Sequence, residues 1–155
     1  HYTHVLSSAA SDVYKRQPVT SAGFSLRIDC EPDVGKQAIQ ADTDHFVQIM
    51  INLVDNALKF AVNADERVIE LTCNRTSDGQ IQISIRDHGP GIPRDQMKKI
   101  FTLFYRAENE LTRETVGTGI GLALVSQLMR EMQGAIDVHN ANPGARFILS
   151  FRSTD

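Results

Sequence analysis

Gln48, Asn52, Asn56 and Lys59 fall at i, i+4, i+8 and i+11, a spacing that puts all four on one narrow face of a helix that carries them. A solvated face usually prefers Glu, Lys and Arg, and Asn is a poor helix former. Two Asn one turn apart, followed by Lys and an aromatic, are therefore better explained by a binding site than by a wet surface. An amide oxygen is a neutral, hard ligand of the kind Mg²⁺ takes when phosphates supply its negative partners. Lys59 adds a point charge for those phosphates. A second constellation is Asp87-His88-Gly89-Pro90-Gly91-Ile92. Its glycines let a ligand approach the backbone, and its carboxylate can accept a hydrogen bond from an exocyclic amine such as adenine carries. Alone, it would read as a tight turn capped by Asp. A third, Gly117-Thr118-Gly119-Ile120-Gly121-Leu122, opens a predicted helix, where free backbone N–H groups with little bulk around them form an anion site. It lacks the Lys-Ser/Thr ending of a P-loop and the spacing and βαβ setting of a dinucleotide fingerprint.

The elements that must hold these residues follow from periodicity. Alternation of Leu26 and Ile28 with Arg27 and Asp29 predicts a strand over residues 25–30, and a short strand is expected around residues 38–41. Asp42 is the expected N-cap of a long helix. Phe46, Ile49, Met50, Leu53, Ala57 and Phe60 mark its core face to about Val62. Alternating runs around Val68, Glu70, Thr72 and around Ile81, Ile83, Ile85 flank Ser77-Asp78-Gly79 and predict an antiparallel hairpin. Residues 94–116 are highly charged and patchily periodic, with a short helix expected near residues 96–101 and the rest a loop longer than ordinary connections. A last helix is expected from Gly119, with Ile120, Leu124, Leu128 and Met132 on its core face, stopping at Gly134. Strands over residues 135–139 and 145–151 close the chain. Strands and helices mix without regular βαβ alternation, so the class is α+β, a mixed sheet with helices on one face.

Composition agrees with one globular domain: 155 residues, 41% apolar and 23% charged, enough chain to bury about 68–70% of its unfolded surface without a disulfide or structural metal. A net charge of −3 is too mild for an electrostatic nucleic-acid binder, and no apolar run approaches the roughly 18 residues of a membrane span. Cys30 and Cys73 lie in separate segments without a CxxC pair. That argues against a disulfide framework or zinc site and favours a reducing compartment. Residues 1–17 show no apolar periodicity and no targeting pattern. We read them as the translation of a sequencing adapter joined in frame, or as a disordered tail, with the domain occupying residues 18–155.

At this point four motifs resemble those of one family. Asn52-Leu53-Val54-Asp55-Asn56-Ala57-Leu58-Lys59-Phe60 is similar to the N box of sensor histidine kinases, and Asp87 to Ile92 to their first glycine box. Ile100-Phe101-Thr102-Leu103-Phe104-Tyr105-Arg106 resembles their F box, and Gly117 to Leu122 their second glycine box. The resemblance covers residues 23–151. It implies the Bergerat fold, a two-layer α/β sandwich with a mixed sheet, helices on one face and a mobile ATP lid over residues 94–116. It implies that Asn56 binds Mg²⁺, that Asn52 and Lys59 lie near the phosphates with a catalytic role, and that Phe60 lines the adenine pocket. Most members carry Tyr there, so Phe60 keeps the ring and loses a hydroxyl. Asp87 would read the adenine amine. Gly89, Gly91 and Ile92 would shape its loop, and Gly117, Thr118, Gly119, Gly121 and Leu122 the second glycine box. Phe101 and Phe104 would anchor the lid, and Arg106 or Arg113 would reach the γ-phosphate on closure.

The same resemblance implies a protein-histidine kinase working on ATP, in the cytoplasm, in a full-length protein that can be membrane-anchored. Its partners would be a histidine-bearing dimerisation domain and a response-regulator receiver domain, with no nucleic acid and no direct membrane contact. The acceptor motif is not found here: His45 falls in the nucleotide helix, His88 in a glycine loop and His139 at a strand end. The expectation is a catalytic half cut from its acceptor domain. Two alternatives stand beside it. One is an ATP-hydrolysing clamp of the gyrase, chaperone or mismatch-repair type, which carries a Glu four residues before the Mg-binding Asn, where this chain has Asn52. The other is a nucleotide-binding module without transfer activity, in which Asn56, Asp87 or the glycines should have been lost.

Overall fold

The structure, a computed structural model, describes residues 23–31, 43–102 and 121–152. Strand β1, Ser25–Cys30, precedes helix α1, Thr43–Phe60; β2, Val68–Arg75, and β3, Ile81–Arg86, form a hairpin. Helix α2, Gly121–Glu131, leads into a second hairpin, β4, Ala135–Asn140, and β5, Ala145–Phe151. The expected strand at residues 38–41, the Asp42 cap and the start of the last helix at Gly119 lie outside the described residues.

One sheet runs in the order β1-β2-β3-β5-β4, with β1 parallel to β2 and every other pair antiparallel. Because side chains alternate across a strand, the registers sort residues by face. Leu71, Ile85, Phe147 and Val138 form one cross-sheet row, and Cys73, Ile83, Leu149 and Ile136 the next. These rows lie under α1 and α2, which pack against each other and against the sheet. From α1, Phe46, Ile49, Met50, Leu53 and Ala57 are buried there, and Phe46 meets Phe151 edge to face at 5.8 Å. Each such large side chain contributes about 1.5–3 kcal/mol on burial. The opposite face is polar: Thr72 and Ser84 hydroxyls hydrogen-bond across the hairpin, and Arg27 pairs with Glu70 at 3.6 Å. This is the mixed sheet with helices on one face that the sequence implied, an α+β fold.

Four local expectations need correction. Helix α1 ends at Phe60, short of Val62, because the chain tightens into a turn in which Ala64 N–H donates to the Ala61 carbonyl at 2.9 Å. The short helix near residues 96–101 is two separate 3₁₀ turns, Arg94–Gln96 and Lys99–Phe101, of which the second buries Ile100. Helix α2 closes one residue earlier than its glycine suggested. Gln133, at φ 58°, takes the left-handed position, with Gln133 N–H donating to Arg130 and Gly134 N–H to Met129. Gly134 is instead a point of close approach, where a Cβ would lie 2.7 Å from the Ser150 carbonyl oxygen.

The fourth correction concerns the cysteines. Cys30 and Cys73 occupy paired positions on β1 and β2, with Cα atoms 4.4 Å apart, and form a disulfide. Parallel pairing brings together residues 43 apart in sequence. The absence of a CxxC pair therefore carried no information about their contact.

Candidate functional site

Asn52, Asn56, Lys59 and Phe60 emerge from α1 half-buried, beside the fully buried stripe that anchors the helix. Their depth follows from the 3.6-residue period: a face adjacent to the core is neither wet nor packed away. Gln48 Nε2 donates to Asn52 Oδ1 at 3.1 Å, one turn apart. This engages one lone pair of the amide oxygen, while Asn52 Nδ2 is buried with no hydrogen-bond partner. A buried orphan donor costs about 1–3 kcal/mol. Its natural complement is an anionic oxygen; a cation would be repelled. Of the two amides, Asn52 is therefore suited to a phosphate and Asn56 is the one suited to a metal ion, through its oxygen.

At the other end stands Asp87, the residue after β3, on the helix-covered side of the sheet and almost fully buried. Its Oδ1 accepts from Gly89 N–H at 2.8 Å and from Ala145 N–H at 3.4 Å. Both bonds land on one oxygen, which leaves Oδ2 as the atom for a ligand. Burial pushes the Asp87 carboxyl above its ordinary 3.8. The hydrogen bonds from Gly89 and Ala145 and the charges of His88 and Arg86 pull the other way. The next residue, His88, falls on the opposite face by the same alternation. There its Nε2 lies 3.0 Å from Glu70 and its Nδ1 3.3 Å from Glu66. The two neighbours thus serve different sides of the sheet.

The two ends meet through backbone. A Cβ at Gly89 would lie 2.6 Å from the Phe60 carbonyl oxygen, so only glycine lets the loop after β3 touch the last turn of α1. Gly91, at φ +81°, turns the loop toward Ile92, which is buried. Ile92 is held by Asn140, whose side chain bonds both its N–H and its carbonyl. Sequence reasoning missed Asn140, since a lone Asn at the end of a strand carries no periodic or motif signal. Phe101, the last residue of the second 3₁₀ turn, sets its ring edge-on to Phe147 at 6.2 Å, so it is fastened to the core.

Of the remaining expected site residues, Gly121 opens the described part of α2 and Leu122 is buried beneath it. Phe104, Arg106, Arg113, Gly117, Thr118 and Gly119 lie outside the described residues, as does most of the expected lid. What is described places amides and an ammonium on α1 and a buried carboxylate on the glycine loop that touches the last turn of that helix. That arrangement suits a molecule with phosphates and an amine-bearing base. Among the described residues no helix is long and apolar enough to cross a membrane.

Residues 41–155 match the family described as histidine kinase-, DNA gyrase B-, and HSP90-like ATPase, and the chain belongs to that family. Similar proteins include sensor histidine kinases. The signal transduction histidine-protein kinase BarA of Escherichia coli strain K12 is 35% identical over 127 residues, 81% of this chain. The mycobacterial sensor histidine kinase MprB has the same fold, with a TM-score of 0.79 at 20% identity over 99% of this chain and 97% of that one. Full-length ShkA in complex with AMPPNP superposes with a TM-score of 0.75 at 26% identity over 94% of this chain. The chain spans 14% of BarA and 30% of ShkA, a small part of these relatives.

Proposed function

We propose that this chain is the catalytic ATP-binding domain of a two-component sensor histidine kinase, working in the cytoplasm on a dimerisation domain that carries the acceptor histidine. In this reading Asp87 Oδ2 accepts a hydrogen bond from the adenine amine, and Phe60, Gly89, Gly91 and Ile92 line the base. Asn52 Nδ2 and Lys59 hold phosphate oxygens. Asn56 would hold Mg²⁺, which would supply charge neutralisation for the phosphates. An imidazole nitrogen of the acceptor attacks the γ-phosphorus in line, the bond to the bridging oxygen breaks, and ADP leaves. The phosphohistidine then passes its phosphoryl group to a response-regulator receiver domain. The similarity to BarA and the AMPPNP bound by ShkA support the reading.

The observation that carries it against a hydrolysing clamp is Asn52. A water-activating base would need a carboxylate one turn before Asn56, and that position holds an amide whose oxygen is engaged by Gln48 and whose nitrogen is a donor. The test supplies the domain with a cognate dimerisation domain and γ-labelled ATP. Acid-labile, base-stable label on that domain is the expected result. Rapid steady-state hydrolysis by the chain alone, after contaminating ATPases are excluded, would overturn the kinase reading. We further assign residues 18–155 to the domain and 1–17 to a dispensable tail. Deleting the tail should leave melting temperature and ATP affinity unchanged, and a clear loss of either would refute that division.

A further inference from the structure

The loop from Asp87 to Ile92 leaves the sheet at one end and is caught by the β4–β5 hairpin at both. At the Asp87 end, its N–H donates to the Ala145 carbonyl at 3.1 Å while Ala145 N–H donates to Asp87 Oδ1 at 3.4 Å. Gly144 sits so close that a Cβ there would overlap the Asp87 carbonyl oxygen. At the Ile92 end, Asn140 Oδ1 accepts from Ile92 N–H and Asn140 Nδ2 donates to the Ile92 carbonyl, each at 2.8 Å. A side-chain amide meets the N–H and C=O of one residue with one acceptor and one donor, the exchange two antiparallel strands make, in a place where no described strand continues. The turn that links these anchor points is itself closed, by Ala141 N–H on the Gly144 carbonyl at 2.9 Å. Arg86 Nη2 braces it on the Ala141 and Pro143 carbonyls at 3.5 and 3.0 Å.

We infer that Asn140 is a positioning residue for the base end of the nucleotide site: it pins the far end of the glycine loop so that Asp87 Oδ2 and the Ile92 side chain are presented together. The inference rests on the reading of Asp87 as the group that recognises adenine. Asn140 acts through the loop, and its influence is confined to the base. The phosphate-facing side chains Asn52 and Asn56 are carried by α1, which is anchored by its own buried stripe and meets the loop at its last turn, at the Phe60 carbonyl. Without the tether the loop between Asp87 and Ile92 has to be ordered at the moment of binding, and that entropy is subtracted from affinity.

The experiment measures Mg-ATP, Mg-GTP and Mg-tripolyphosphate binding by calorimetry for the full chain and for Asn140→Ala and Asn140→Asp. Asn140→Ala should weaken ATP roughly tenfold, the effect of two neutral hydrogen bonds, and leave tripolyphosphate unchanged. Asn140→Asp keeps the shape. Near pH 8 its carboxylate opposes the Ile92 carbonyl and binding should be as weak as in the alanine variant. ATP binding by Asn140→Ala at native strength, or equal losses for ATP and tripolyphosphate, would overturn the inference. So would native ATP affinity in Asn140→Asp near pH 8. Equal affinity of the native chain for ATP and GTP would instead sink the reading of Asp87 itself.

Discussion

At the α1 end of the site the ligand-facing groups are side chains on a helix whose backbone is occupied by its own hydrogen bonds, and one of them, Asn52 Nδ2, is buried without a partner. At the Asp87 end the ligand-facing carboxylate is tied to Gly89 and Ala145, and its loop touches the Phe60 carbonyl and is pinned by Asn140. The first end carries an unmet hydrogen bond that a ligand would satisfy. The second has met its hydrogen bonds within the protein, apart from the burden of a buried carboxylate. Changes at the α1 end should therefore move function with little harm to the fold. Changes at the Asp87 end should move both, because the same bonds that aim the carboxylate also join β3 to β5.

The largest effect is expected at the α1 end. Asn56→Ala should cut phosphotransfer to the acceptor domain by about a hundredfold or more through loss of the amide oxygen offered to Mg²⁺, with the circular dichroism spectrum unchanged. Transfer at the native rate would remove Asn56 from the chemistry. Next comes Asp87→Asn. Its amide oxygen can still accept from Gly89 and Ala145, but its NH₂ would face the adenine amine donor to donor, so ATP should weaken roughly tenfold or more. Stability should move the other way. Burial raises the Asp87 pKa, so the folded chain binds that proton more tightly than the unfolded chain. Stability from this group is therefore lost as pH rises from the unfolded value through the raised folded one, and the cost is present in full above it. Without nucleotide, Asp87→Asn should melt higher than the native chain near neutral pH, and the gap should close in acid. A gap that widened in acid would contradict the burial argument.

Gly89→Ala probes the junction of the two ends. The new Cβ would press on the Phe60 carbonyl, a backbone atom that cannot swing aside, so a loss of about 1–3 kcal/mol is expected along with weaker ATP binding. Chemical denaturation would read the first and calorimetry the second. A stable variant with native affinity would mean that α1 and the glycine loop are less closely joined than the geometry requires.

How much of this could be read from the chain differs along the same line. The groups on α1 were legible because Gln48, Asn52, Asn56 and Lys59 share a helical period, and a period survives in one sequence without any tertiary information. Sheet alternation was equally legible, as Ile81, Ile83 and Ile85 show. The Asp87 end could be located by its glycines, but its supports could not. Asn140 is distant in sequence, and its role exists only because the β4–β5 turn returns to the loop. The Cys30–Cys73 contact was hidden for the same reason, since strand register across a crossover is set by packing that no local pattern records. Gln133 took the left-handed position expected of a glycine because Gly134 was needed where Ser150 comes close. Local periodicity thus reveals which residues share a face; which distant residue supports a given loop is decided by the fold.

Asn52→Ala is the smallest and most discriminating test of the comparison. In the nucleotide-free chain the Asn52 amide gives one exposed hydrogen bond from Gln48 and carries a buried donor with no acceptor. Removing it relieves a penalty of about 1–3 kcal/mol, adds the helix preference of Ala, worth roughly half a kcal/mol, and gives up the Gln48 bond and some packing. The balance favours the variant by about 1 kcal/mol, a rise of roughly 2–4 °C in melting temperature without nucleotide. With saturating Mg-ATP the order should reverse, because the native chain then satisfies the donor with a phosphate oxygen and the variant cannot. This crossover is specific to a donor kept unsatisfied for a ligand. A variant less stable than the native chain in both states would mean that Asn52 is an ordinary structural amide, and the contrast between the two ends of the site would fail at the residue that defines it.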